Sequence, residues 1–167
     1  MQTTKLHLIA QTQSTRLLAV AGMLIGIKIG IKFADIDQSV LQWLLYHRAM
    51  LTHGMIIPLL LGWGFWRFQY HLLRGFTLGF CVTNAVHLSF DLFPESWWGY
   101  ALIHIFSWGL PPLLSGIWIL LSILVCIYMT RLFIRTIEDI MLSIGGVIWG
   151  FIIYAHEGFL FPCIAFV

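Results

Sequence analysis

Charge is what this sequence has least of. Nine Lys and Arg and seven Asp and Glu make up 10% of 167 residues, against about a quarter in an ordinary soluble domain. So little charge excludes a disordered chain, which relies on charge and polarity to stay solvated. A formal net charge of +2 likewise excludes a basic nucleic-acid-binding domain. Cysteine is scarce as well. Cys81, Cys126 and Cys163 are odd in number and sit at no metal-ligand spacing, so they form no disulfide framework and read as small core hydrophobes. The chain has no internal repeat, no low-complexity linker, no glycine-rich phosphate loop, no Ser/His/Asp triad order and no haem or iron–sulfur motif.

Apolar residues fill the space. They are 60% of the chain, with aromatics at 16% and a mean hydropathy of +0.91. A membrane-spanning helix needs about 20 predominantly apolar residues, so this content makes about five spans and leaves no room for a soluble domain. The predicted fold class is all-α: a polytopic transmembrane helical bundle forming one integral membrane domain over residues 1–167. The apolar stretches place the spans at about 17–33, 51–66, 75–93, 109–130 and 140–155. Pro58 predicts a kink in the second. The fourth carries no charge in its 22 positions. Residues 158–167 are apolar but too few to span, which predicts a re-entrant or interfacial segment. The first sixteen residues are too polar for the core of a signal peptide, so the N-terminus is expected to be retained.

The loops sort by charge. Lys5, Arg16, Arg67, Arg74, Arg131 and Arg135 fall on one side; Asp35, Asp37, Asp91, Glu95 and Glu157 fall on the other, with Arg48 as its one clear loop cation. The positive-inside rule then puts the N-terminus in the cytoplasm, in a bacterial inner or equivalent membrane. Trp63 and Trp66 on one side, and Trp97, Trp98 and Trp108 on the other, read as interfacial belts. Gly22, Gly26 and Gly30 share one helical stripe, and Gly75/Gly79 and Gly146/Gly150 repeat the spacing. Such stripes permit close helix approach, and they are also a means of binding a partner subunit or a second copy. Lys28 and Lys32 point away from the stripe. They either snorkel to the outer interface or meet an anionic headgroup or substrate.

The histidines and acids gather on the non-cytoplasmic side. Asp35 and Asp37 follow the first span, His47 and His53 precede or open the second, His87 and Asp91 close the third, and His104 lies in the next loop. Ionisable groups near a membrane are costly unless paired, hydrated or metal-bound. His87 and Asp91, four apart on a helix, project from one face, a geometry that suits one divalent cation or a hydrogen-bonded His–Asp pair. Asp35 and Asp37, two apart, share a face only in a turn or extended segment. His47 and His53, six apart, do not share a regular helical face.

The order of ADIDQ at 34–38, HRAMLTHG at 47–54 and HLSFD at 87–91 resembles the YdjM/DUF457 family of membrane-bound metal-dependent hydrolases. That family's pattern is an acidic Pro-Asp-x-Asp segment, a His-Arg-x-x-Thr-His segment and a His-Leu-x-x-Asp helix. The resemblance covers about residues 17–105. It implies a distant relation to the zinc-dependent phospholipase C and P1 nuclease group, whose helical sites hydrolyse phosphate esters. It also implies Asp35, Asp37, His47, His53, His87 and Asp91 as metal ligands, zinc foremost with manganese as the alternative. Arg48 would orient or neutralise a phosphate, and Asp35 or Asp37 would act as general base. Ala34 stands where the family has proline, Gln38 where histidine is common, and Gly54 in place of serine. One extra residue separates His47-Arg48 from Thr52-His53, which turns one histidine by about 100° on a helix.

Two functions of different class follow. One is a metal-dependent hydrolase of a lipid or lipid-linked phosphate ester, with membrane lipids as its partners. The other is a non-catalytic accessory or scaffold subunit of a larger membrane complex that keeps an altered metal site. A transporter has less support, because a bundle without a repeat lacks the usual transporter core.

Overall fold

The computed structural model describes residues 2–39, 48–92, 102–105 and 107–154, without the side chains of 2–12 and 38–39. His47, Glu95, Trp97, Trp98, Cys163 and the predicted interfacial segment at 158–167 lie outside the described residues.

The described residues are helical apart from one small hairpin and the turns that join the elements. Helix α1 (Gln2–Phe33) leads through a turn to the short α2 (Ile36–Ser39), and α3 (Ile56–Phe68) follows. Helix α4 (His71–Leu92) is the axis of the fold: α1, α3, α5 (Pro112–Phe133) and α6 (Ile137–Ile153) all pack on it. Strands β1 (His104–Ile105) and β2 (Trp108–Gly109) pair antiparallel, with His104 opposite Gly109.

Glycine sets the closest of these contacts. A Cβ on Gly22 would run into the carbonyl of Leu72, one on Gly26 into Phe76, one on Gly75 into Ala19 and one on Gly79 into Met23. Both helices therefore present a bare backbone to each other, in parallel register. The glycine stripe is spent inside the chain, on α4. Further round, Gly150 of α6 sits on Val86, where a Cβ would lie 2.8 Å from Cγ1. On the other side of α4, Phe65, Cys81, Cys126, Met129 and Phe133 join α3, α4 and α5 in one apolar cluster.

Helices α3 to α6 begin and end within five residues of the predicted stretches, while α1 begins at Gln2, fifteen residues before the first of them. Residues 51–55 form turns, so α3 starts at Ile56 and Pro58 falls in its first turn. No intrahelical carbonyl awaits the N–H that proline lacks there, and the expected reason for a kink disappears. Lys28 and Lys32 are exposed, as are Trp63, Trp66 and Trp108. Among the described residues, α5 alone is both long and apolar enough to cross a membrane by length and composition.

Arg74 is not the loop cation its sequence position suggests. It is buried, donating to Asp139 Oδ2 at 2.8 Å and to the carbonyl of Phe133 at 2.6 Å. Asp139 in turn caps α6: its carboxylate accepts from the backbone N–H groups of Arg135 and Thr136, and its own N–H donates to the Thr136 hydroxyl. This capping box and ion pair tie α4, α5 and α6 together at one end of the bundle.

Candidate metal centre

At the opposite end, four stretches of chain meet. The turn after α1 brings Asp35, α2 brings Asp37, the turns at 48–55 bring Arg48 and His53, and the last turns of α4 bring His87 and Asp91.

The 48–55 segment is held from several sides. Its backbone pairs with β1, Met50 N–H donating to the His104 carbonyl and His104 N–H to that of Arg48. Ala49 N–H and the Thr52 hydroxyl both donate to Asp37 Oδ2, at 2.9 and 2.8 Å. The Trp118 indole of α5 donates to the carbonyl of His53 at 3.0 Å. Gly54 makes room for that indole, since a Cβ there would lie 2.7 Å from the indole nitrogen. Arg48 adopts φ 59°, a left-handed conformation uncommon outside glycine. Its guanidinium reaches Asp91 Oδ1 at 3.4 Å.

These contacts hold His53 in place without a helix around it. That histidine sits in a turn, not on a helix face, and is 1% exposed. Its Nε2 lies 3.4 Å from Asp91 Oδ2, and the Nε2 of His87 lies 3.1 Å from the same oxygen. The predicted i, i+4 pair on α4 is realised, with His53 as its third member. Asp35 Oδ1 approaches His87 Nε2 at 3.8 Å, and its side chain is 43% exposed, the open edge of the cluster. Asp37 is fully buried on the Nδ1 side of His53, 3.3 Å away.

The hydroxyls behind the two imidazoles favour one tautomer of each ring. Tyr154, just past α6, donates its hydroxyl proton to an acceptor, the Ile31 carbonyl or Asp35 Oδ2. With its one proton so committed, the Tyr154 oxygen accepts from His87 Nδ1, 2.6 Å away. Thr52 is in the same position. Its proton goes to Asp37 or to the Ala49 carbonyl, so His53 Nδ1, at 3.1 Å from the hydroxyl, is the donor. Both rings then turn the lone pair of Nε2 toward Asp91 Oδ2. In these tautomers three acceptor atoms converge in a buried site, and a proton or a metal ion among them offsets their repulsion. Protons on both rings would put two imidazolium groups side by side, with centroids 5.7 Å apart. A metal ion avoids that repulsion, and His53, His87 and Asp91 offer ligand atoms within 4.8 Å of one another, all buried. This group can hold a metal ion. The carboxylates of Asp35, Asp37 and Asp91 outnumber the Arg48 guanidinium by two charges, the charge of a divalent cation.

Sequence reasoning overlooked Tyr154. Its one signal is position: it ends the last predicted span on the side where the histidines gather. His104 contributes backbone hydrogen bonds to the 48–50 segment. No protein-family model, curated protein or solved structure matches this chain.

Proposed function

We propose that this chain is a membrane-embedded, metal-dependent hydrolase of a lipid or lipid-linked phosphate ester, working at one membrane face. The observation that carries this reading is the meeting of two imidazole Nε2 atoms and Asp91 Oδ2 in a buried site, with an oxygen within hydrogen-bond distance of each Nδ1 behind them. Metal-binding histidines characteristically donate their second nitrogen in this way. Two imidazoles and one carboxylate with an open edge make the ligand set of a catalytic zinc site. Zinc in such a set supplies Lewis acidity and acidifies water to a pKa of about 7.

The chain's own residues take distinct roles. His53, His87 and Asp91 are the ligands. Asp35, on the exposed edge, is placed to complete the set or to take a proton from water. Asp37 and Tyr154 orient the two imidazoles from behind. Arg48 balances Asp91 and lies where a phosphate would carry its charge.

Inverted burial supports the membrane part. Asp37, His53, Arg74, His87, Asp91 and Asp139 are buried, while Leu17, Leu113, Trp108, Met141 and Ile152 are each at least 60% exposed. A soluble monomer rarely shows so much apolar surface. Helix α4 has modest hydropathy because it carries the site, yet it is enclosed by its neighbours, so its polar groups need never meet lipid. As for an accessory subunit, the glycine stripe is packed on α4 and is not open to a partner.

Elemental analysis of the purified chain tests the reading. About one zinc per chain is expected, lost in a folded His87→Ala/Asp91→Ala variant. Metal-free, folded wild-type protein after zinc supplementation would overturn it.

A further inference from the structure

Helix α1 presents a face that its neighbours leave open. Leu17, Leu18, Leu24, Ile25 and Ile29 lie on it, each more than 40% exposed. Lys28 and Lys32 occupy the end of this face nearest the metal centre, both exposed. At about 100° per residue the two lysines stand about 40° apart, on successive turns about 6 Å along the axis and opposite Gly26 and Gly30. Asp35, the exposed carboxylate of the centre, comes three residues after Lys32. The ion pairs among the described residues involve Arg48, Arg74, His53 and His87, and none includes a lysine.

Two cations on an otherwise apolar surface call for an anion. With a divalent ion bound, the carboxylates of the metal centre leave no net positive charge to draw in an anionic substrate, and cations at its mouth supply that attraction. Lysine stems bend along apolar surface toward the interface, which carries both ammonium groups toward the level of Asp35. We propose that Lys28 and Lys32 form a docking site for the phosphate head of an anionic lipid, whose acyl chains lie along the Leu17–Ile29 face. The site presents that headgroup to the metal centre. Its location rests on the membrane reading above, while its chemistry rests on the two lysines alone.

The full chain, incorporated into nanodiscs of phosphatidylcholine and phosphatidic acid, provides the test. Lipids retained on re-extraction are counted by mass spectrometry. Wild type should enrich phosphatidic acid over the bulk ratio. Lys28→Gln/Lys32→Gln should lose about fivefold of that enrichment per lysine, the contribution of one basic residue beside an anionic lipid. Lys28→Arg/Lys32→Arg should keep it, and so should Arg67→Gln at the other end of the bundle. An unchanged unfolding temperature confirms that the glutamine variant is folded, which its exposed positions favour. Equal retention by the glutamine variant, or bulk-ratio lipid on wild type, overturns the docking site and leaves snorkelling as the lysines' role. Zinc counted on the same samples separates the readings: enrichment without zinc overturns the hydrolase only, and zinc without enrichment overturns the docking site only.

Discussion

The phenol of Tyr154 lies 2.6 Å from Nδ1 of His87, sixty-seven residues earlier in the chain. Because that oxygen also contacts Ile31 and Asp35, one side chain links the end of α1, the end of α4 and the end of α6. Tyr154→Phe keeps the ring packed against Phe90 and removes only the oxygen. His87 then loses the acceptor that fixes its tautomer. Zinc affinity is expected to fall about tenfold or more, the usual cost of losing such a partner, and the one buried donor left without its acceptor costs about 1–3 kcal/mol of stability. Competition with a chromophoric chelator measures the first and circular dichroism the second.

Asp37 supports His53 chiefly through Thr52, whose hydroxyl it holds beside the imidazole. Its Oδ2 also receives Ala49 N–H and the Thr52 hydroxyl, so it holds the whole 48–53 turn. Asp37→Ala leaves these donors buried without their acceptor, at about 1–3 kcal/mol for each unsatisfied group. Both zinc content and unfolding temperature should drop, the latter further than in Tyr154→Phe, because three donors and not one lose their acceptor. Zinc retained at wild-type affinity would show that His53 needs no help from Asp37.

The contrast between these two residues marks what the sequence makes legible. His87 and Asp91 are readable because helical periodicity alone puts them on one face, whatever the rest of the chain does. Asp37 and Thr52 are readable as motif members, though not as supports for an imidazole. Tyr154 is not readable, since nothing local joins it to a histidine two helices away. Arg74 misleads for the same reason: counted as a loop charge it orients the chain, yet its partner Asp139 lies sixty-five residues on. Charge counting sees sign and position along the chain, not burial. The glycine stripe is legible as a close-contact surface, but only the fold decides that α4 is what it meets.

That contact leaves no slack. A side chain at Gly26 meets the Phe76 carbonyl, which is backbone and cannot rotate away. Gly26→Leu should therefore force α1 off α4 and cost about 3 kcal/mol or more. Gly145, which has nothing within 4 Å of its would-be Cβ, is the control. Gly145→Ala should leave stability unchanged or raise it by up to about 1 kcal/mol through helix propensity. Thermal unfolding of both variants in the same detergent separates them.

The clasp at the far end sets an acid limit on the fold. Burial raises the Asp139 carboxyl, but the Arg74 guanidinium and the N–H groups of Arg135 and Thr136 outweigh it and hold the carboxyl below its ordinary range. A carboxyl lowered in the folded state binds its proton more weakly there than in the unfolded chain, so its stabilisation is fully present above the unfolded value of about 3.9. That contribution is lost as pH falls from there through the folded value. Wild-type unfolding temperature should hold steady down to about pH 4 and then decline. Asp139→Asn removes this part of the acid response. It also leaves Arg74 buried beside an uncharged amide, at a cost of about 3 kcal/mol near neutral pH. Arg74→Met/Asp139→Leu, which deletes both charges, should recover much of that loss, because each charge is costly chiefly when the other is gone. A double variant as unstable as Asp139→Asn would mean that the α6 cap made by the Asp139 carboxylate and the bond from Arg74 to the Phe133 carbonyl, not the ion pair, close this end of the bundle.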